Sequence, residues 1–255
     1  MRLAGERALV TGSTAGIGRA IALAFAREGA AVAVTGRDRE RGAAICDEIE
    51  QHGAIAAFVP ADLTDEDECT RLVDAAADAL GGVTVLVNNA AGGDAPDGPV
   101  HELTTAAWEA IFRVNVTAPM WLTRAAIPHL RRAGHGAIVN ISSRQAERPS
   151  GNLAAYIASK GALNALTRAI AVDYAPDQIR CNTISPGYVL HARRDADITS
   201  ERLARYEAMH LTRLGTADDV AHAAIYLASR ESEFVTGANL QLDGGSSIAR
   251  GTTLG

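Results

Sequence analysis

The chain has 255 residues, 26.6 kDa, 47% apolar and 21% charged side chains, proportions that fit a folded globular protein and argue against disorder. A net charge of −6, with acids and bases interspersed, leaves no basic surface of the kind nucleic acid requires. Three widely spaced cysteines, Cys46, Cys69 and Cys181, fit neither a disulfide framework nor a zinc site. With no leader-like N-terminus and no apolar run of about 18 residues, a soluble cytoplasmic protein is expected.

Residues 8–11 (ALVT) read as a first strand, running into TGSTAGIG and then an amphipathic helix that closes at Gly29. A second strand, 31–35, precedes the helical pattern DRERGAAICDEIE. Further strands fall at 54–59, 83–88, 136–142, 179–185 and 239–243, and several are apolar almost throughout, as parallel strands covered on both faces are. Strand–helix alternation without a linker or repeat predicts one α/β domain over 1–255. Its architecture is a Rossmann-type, doubly wound parallel sheet of about seven strands with helices on both faces.

The turn after the first strand holds Gly12, Gly16 and Gly18 immediately before a helix. There the backbone must turn tightly, and free N–H groups at the helix start can meet a pyrophosphate. The spacing is GxxxGxG, a loose match to the usual dinucleotide fingerprint, and its position after strand one strengthens it. Nucleotide preference should be decided where strand two ends, in TGRD. Arg37 beside Gly36 suits a 2′-phosphate and favours NADP(H), with NAD(H) the alternative. The competing reading leaves Arg37 solvated and makes Asp38 the cap of the next helix.

Lys160 is the one lysine among 24 basic side chains, and it stands four residues after Tyr156 in YIASK. On a helix that spacing puts both side chains on one face. An ammonium is a compact point charge, unlike the planar fork of arginine, so the exception calls for a local reason.

In these motifs the chain resembles the short-chain dehydrogenases/reductases, in the branch with a single compact domain. TGSTAGIG matches that family's TGxxxGxG loop, Asp62 in ADLTD looks like its adenine-contacting aspartate, and NNAA at 88–91 is similar to its NNAG. Asn115 in RVNVTAP, Ser143 in VNISS, and Tyr156 with Lys160 match its catalytic tetrad. SPG at 185–187 and TGANLQLDGG at 236–245 complete the series. The resemblance implies cofactor contacts at Gly12, Ser13, Gly16, Ile17, Gly18, Arg37, Asp62, Leu63, Asn89 and Ala90, and again at Tyr156, Lys160, Pro186, Gly187 and Val189. It implies interconversion of a ketone and a secondary alcohol, with Tyr156 as general acid/base. Lys160 would lower the pKa of Tyr156 and bond the nicotinamide ribose, and Ser143 would polarise the substrate oxygen. Asn115 would kink its helix and hold a water that passes protons to Lys160. Where the family often has PGxxxT this chain has PGYVLH, which puts His191 in the place of the threonine.

The charged segment 188–215 lies where the family keeps its variable substrate lid. Gln145, Asn152 and Tyr188 are candidates for lining the pocket of a small carbonyl or alcohol substrate. Arg144, Arg148, Arg193 and Arg194 could receive an anion, or be solvated or paired with neighbours such as Glu147 and Asp195. The overall pattern is similar to 3-oxoacyl-thioester reductases and to sugar or polyol dehydrogenases. A nucleotide-binding regulator without turnover, and an epimerase or dehydratase that recycles its cofactor, are the competing functional classes. The resemblance also implies a homotetramer, with small-residue faces around 106–127 and 154–172 available for it.

Overall fold

The architecture was determined from a computed structural model that describes residues 1–92, 95–191 and 195–249. Seven strands are present among these residues: β1 (Arg7–Val10), β2 (Ala31–Val34), β3 (Ala56–Phe58), β4 (Val85–Asn88), β5 (Gly136–Ile141), β6 (Ile179–Pro186) and β7 (Asn239–Leu242). They form one sheet in the order β3-β2-β1-β4-β5-β6-β7, and every pairing is parallel. Each strand overlaps a segment read from the sequence. The 54–59 segment keeps three residues as strand, and its side chains are half-buried because β3 is an edge.

Alternation along the strands sorts side chains onto two helical layers. Ala8, Val10, Val32, Val34, Val85 and Val87 face one layer, formed with α1 (Gly16–Arg27), α2 (Arg39–Gln51) and α8 (Ala217–Ala228). Leu9, Ala33, Leu86, Ile138, Ile179 and Cys181 face the other. That layer is built from α3 (Glu66–Leu80), α5 (Ala118–Ala133) and α6 (Ala154–Asp173). A shorter α4 (Thr105–Phe112) runs into α5 through a π-helical turn at Arg113–Thr117, and α7 (Ser200–Ala208) sits in the 188–215 segment. That segment also makes one parallel bridge, Val189 to Gly215, in a stretch with no strand-like pattern. Among the described residues no helix is long and apolar enough to cross a membrane.

Two features of this frame place the site. The chain reverses its direction of sheet growth between β1 and β4, so a crevice opens beyond their C-terminal ends. A buried polar chain also ties α6 to the sheet: Asn88 donates to Asn140 (2.8 Å), Asn140 to the Thr167 hydroxyl (2.8 Å), and Thr183 to the same hydroxyl (2.8 Å). Fixing α6 against β5 and β6 fixes the helix face that carries Tyr156 and Lys160.

Candidate active site

The crevice is a cleft of about 700 Å³ lined by Gly12, Thr14, Gly36, Arg37, Asp62, Leu63, Asn89 and Ala90, with α4 and the π turn as the far wall. At its floor the backbone of β1 meets that of β4. The Thr11 hydroxyl accepts from the N–H groups of Asn89 (2.9 Å) and Ala90 (3.1 Å), and the Asn89 amide donates to the Thr11 carbonyl (2.8 Å). Gly12 has φ +62°, which an L side chain resists, and Gly18 packs directly on the Asn89 amide and the Gly12 carbonyl. A side chain at either position would collide with Asn89 or its neighbours, and the bare turn at Gly12 leaves the cleft floor open to a dinucleotide.

Ser13 is a correction. It is fully buried, its hydroxyl donates to the Val10 carbonyl (2.7 Å) and accepts from Thr35 N–H (2.9 Å), and it stitches β1 to β2 instead of facing the cleft. Thr14, which the sequence reading did not single out, lines the cleft in its stead. A Cβ built on Gly36 would stand 2.6 Å from the Thr14 methyl, so Thr14, Gly36 and Arg37 form one corner. Asp38 caps α2 by accepting from Arg41 N–H (3.0 Å), as its competing role required, while Arg37 still lines the cleft. The Asp62 carboxylate accepts from the Thr64 backbone N–H and hydroxyl, both at 2.9 Å, and these bonds hold its pKa below the usual value.

Beyond the cleft, Ser143 lies two residues past the end of β5, and its hydroxyl accepts from Gln145 N–H (3.2 Å) at a short 3₁₀ turn, Arg144–Ala146. Helix α6 lies against that turn and presents Tyr156 and Lys160. Lys160 is 2% exposed, donates to the Ile141 carbonyl (2.8 Å), and holds its ammonium 5.7 Å from the centre of the Tyr156 ring. Burial pulls its pKa down to about 8. Asn115 lies inside the π turn, so the expected irregularity of its helix is a wide turn. Its oxygen accepts from Gly92 N–H (2.8 Å), and its nitrogen donates to the hydroxyl of Ser159, the residue before Lys160 (3.0 Å).

Asp97 is a second residue that sequence reasoning missed. α6 starts at Ala154 with Leu153 in the capping position and no side-chain cap of its own. Asp97 supplies one from a distant loop, accepting from Ala155 N–H (3.1 Å) and Tyr156 N–H (2.9 Å). The signal was a helix start without Ser, Thr, Asp or Asn.

On the lid side, Pro186 ends β6, and Gly187 bonds back to Leu242 (3.0 Å). Val189 is buried in its bridge with Gly215. The His191 ring reaches the glycine-rich turn, where a Cβ on Gly16 would stand 2.7 Å from its Cδ2. Tyr188 stacks on Tyr206 (3.8 Å between ring centres) and donates to Asp195 (2.8 Å), so its ring and hydroxyl are engaged within the lid. Gln145 spends its amide on Ser150, and Asn152 is exposed with φ +64°. Arg193 and Arg194 lie outside the described residues.

A family model described as enoyl-(acyl carrier protein) reductase matches residues 12–247. The 7α-hydroxysteroid dehydrogenase of Clostridium sardiniense is 37% identical over 97% of this chain and 95% of its own. The chain belongs to the short-chain dehydrogenases/reductases. The NADP-dependent (R)-specific alcohol dehydrogenase of Lentilactobacillus kefiri is 38% identical over 96% of this chain and 97% of its own. A solved short-chain type dehydrogenase/reductase from Mycobacterium ulcerans superposes with a TM-score of 0.92 at 31% identity, covering 98% of this chain and 93% of that one. The activity of this family is oxidoreduction, and the chain is an oxidoreductase of that kind.

Proposed function

We propose that this protein interconverts a ketone and a secondary alcohol, prefers NADP(H) to NAD(H), and uses Tyr156 as its general acid/base. The observation that carries this reading is the buried Lys160 ammonium beside the Tyr156 ring. Tyrosine ordinarily titrates near pH 10, poorly matched to proton transfer at neutrality. A neighbouring cation stabilises the phenolate and lowers that value. With its own pKa near 8, Lys160 is still largely charged at pH 7.

Gly12, Thr14, Arg37, Asp62, Asn89 and Ala90 would hold the nucleotide, with Arg37 and Thr14 at the corner suited to a 2′-phosphate. The nicotinamide cofactor, when bound, supplies or accepts the hydride. Ser143 orients the substrate oxygen, and Tyr156 gives it a proton during reduction or takes one during oxidation. Asn115 holds Ser159 and thereby the turn of α6 that carries both residues. The lid over 188–215 closes the substrate side. A ring-borne secondary alcohol, the chemistry named for the hydroxysteroid relative, is the first class to screen.

Fluorescence titration with NADPH and NADH, followed by turnover of cyclic alcohols with the tighter cofactor, tests the reading. NADPH binding tighter than NADH with net nicotinamide reduction is expected. Tighter NADH binding would remove the NADP preference, and absence of any net redox change would remove the dehydrogenase assignment.

A further inference from the structure

Arg144 directly follows Ser143 and is 7% exposed, yet its guanidinium finds no hydrogen-bond or ion-pair partner among the described residues. Arg180 shows what a structural arginine looks like in this fold. It donates to the carbonyls of Leu227 (2.8 Å) and Ser229 (3.0 Å) and to the Ser232 hydroxyl (2.8 Å). Arg144 has no such set of acceptors. The charges that act on it are the like charge of Arg148 and the carboxylate of Asp243. Burial first, and Arg148 second, push its pKa down against the pull of Asp243.

Asp243 does not satisfy it by contact. Its oxygens accept from Gly245 N–H (3.0 Å), Ser247 N–H (2.7 Å) and the Ser246 hydroxyl (3.3 Å). Arg148 has one donor engaged by the Ser247 carbonyl (2.8 Å). A second side chain on the same strip is also unsatisfied. Alternation along β7 puts Asn239, Gln241 and Asp243 on one face. Asn239 reaches Glu147 (2.7 Å) on the loop after Arg144, and Asp243 lies in electrostatic reach of Arg144. Gln241 stands between them with both polar atoms buried and unpaired.

None of the Arg144 nitrogens is sealed from solvent, so its unpartnered charge is open to an incoming anion. Five N–H donors in a planar fork match a carboxylate. The Arg144 backbone lies beside the reacting end, next to Ser143, and Asp243 packs against Gly187, where a Cβ would stand 2.8 Å from its Cα.

We propose that Arg144 receives an anionic group, a carboxylate in the first instance, on the substrate whose alcohol carbon lies at Ser143 and Tyr156. This substrate class, a hydroxy or oxo acid, rests on the ketone/alcohol reading above. The test compares cis-4-hydroxycyclohexanecarboxylate with its carboxamide as substrates for the wild type, Arg144→Met and Arg144→Lys, each with a melting curve. A parallel calorimetric titration of unreactive cyclohexanecarboxylate is made into the NADPH-saturated proteins.

The wild type should favour the acid over the amide in kcat/KM by at least about 10-fold, chiefly through KM. Arg144→Met should bring that ratio towards one and abolish carboxylate binding, and Arg144→Lys should retain part of both. Carboxylate binding lost in Arg144→Met, with neither alcohol turned over, would uphold the anion site and sink the dehydrogenase reading. Turnover of the amide with no preference for the acid and no carboxylate binding would overturn the role of Arg144 and leave the dehydrogenase reading standing. If Arg144→Met fails to fold, the acid-to-amide ratio of the wild type against Arg144→Lys decides, and an unchanged ratio overturns the proposal.

Discussion

Lys160 is held in its site at a cost to the fold. Its pKa falls from 10.5 to about 8 on burial. At about 1.4 kcal/mol per unit, that opposes the charged folded state by about 3 kcal/mol. Between about pH 8 and 10.5 the unfolded chain keeps the proton and the folded chain does not, so stability should rise with pH across that window. Lys160→Met should therefore abolish turnover yet melt higher than the wild type at pH 7. The gain is reduced by about 1 kcal/mol for the lost bond to Ile141, and it should shrink above pH 8. A lower melting temperature at pH 7 would contradict this account. Arg37 makes a second prediction at this scale. Arg37→Ala should weaken NADPH by about 10- to 100-fold and leave NADH nearly unchanged, as for removal of a charge-assisted contact to phosphate. Equal losses for the two nucleotides would return Arg37 to a solvated role.

Helix α6 is the element on which the chemistry depends, and its N-terminus is held from outside. Asp97 accepts from the N–H groups of Ala155 and Tyr156, which no residue of the helix itself caps. Asp97→Ala should cost about 1–2 kcal/mol in urea unfolding, the range for a lost cap. It should also lower kcat more than it weakens NADPH, because the frayed turn carries Tyr156 and not the nucleotide corner. A fall in NADPH affinity with kcat intact would refute this division. Deeper in the same helix, the Thr167 hydroxyl receives Asn140 and Thr183 and donates to the Leu163 carbonyl (2.9 Å). This three-way bond sets the height of α6 over the sheet, and with it the distance from Lys160 to the end of β5.

At the scale of the whole molecule, Trp108, Met120 and Val172 leave apolar surface on α4, α5 and α6, and Phe234 stands fully exposed just before β7. We propose that these surfaces are covered in a homotetramer, in which case light scattering should give about four times the 26.6 kDa chain mass. Phe234→Asp should shift that mass downward, and a monomeric wild type would end the assignment.

The strand–helix alternation, the parallel sheet and the glycine-rich turn are legible in the chain alone. These are local matters: apolar runs of strand length, a cap residue, a glycine where φ must be positive. The sequence also marked Tyr156 and Lys160, because four residues on a helix is one face. Tertiary structure alone decided the rest. Ser13 reads like any loop serine, and only the pairing of β1 with β2 turns its hydroxyl inward to Thr35. Asp97 lies 59 residues from Tyr156, so the contact that caps α6 has no local trace beyond the missing cap. Whether Arg144 is paired or bare depends on how β7 packs under the loop after Ser143 and on where the oxygens of Asp243 are already committed. Pairings between distant segments follow from close packing and the satisfaction of buried polar groups, and neither is a property of any short stretch of chain.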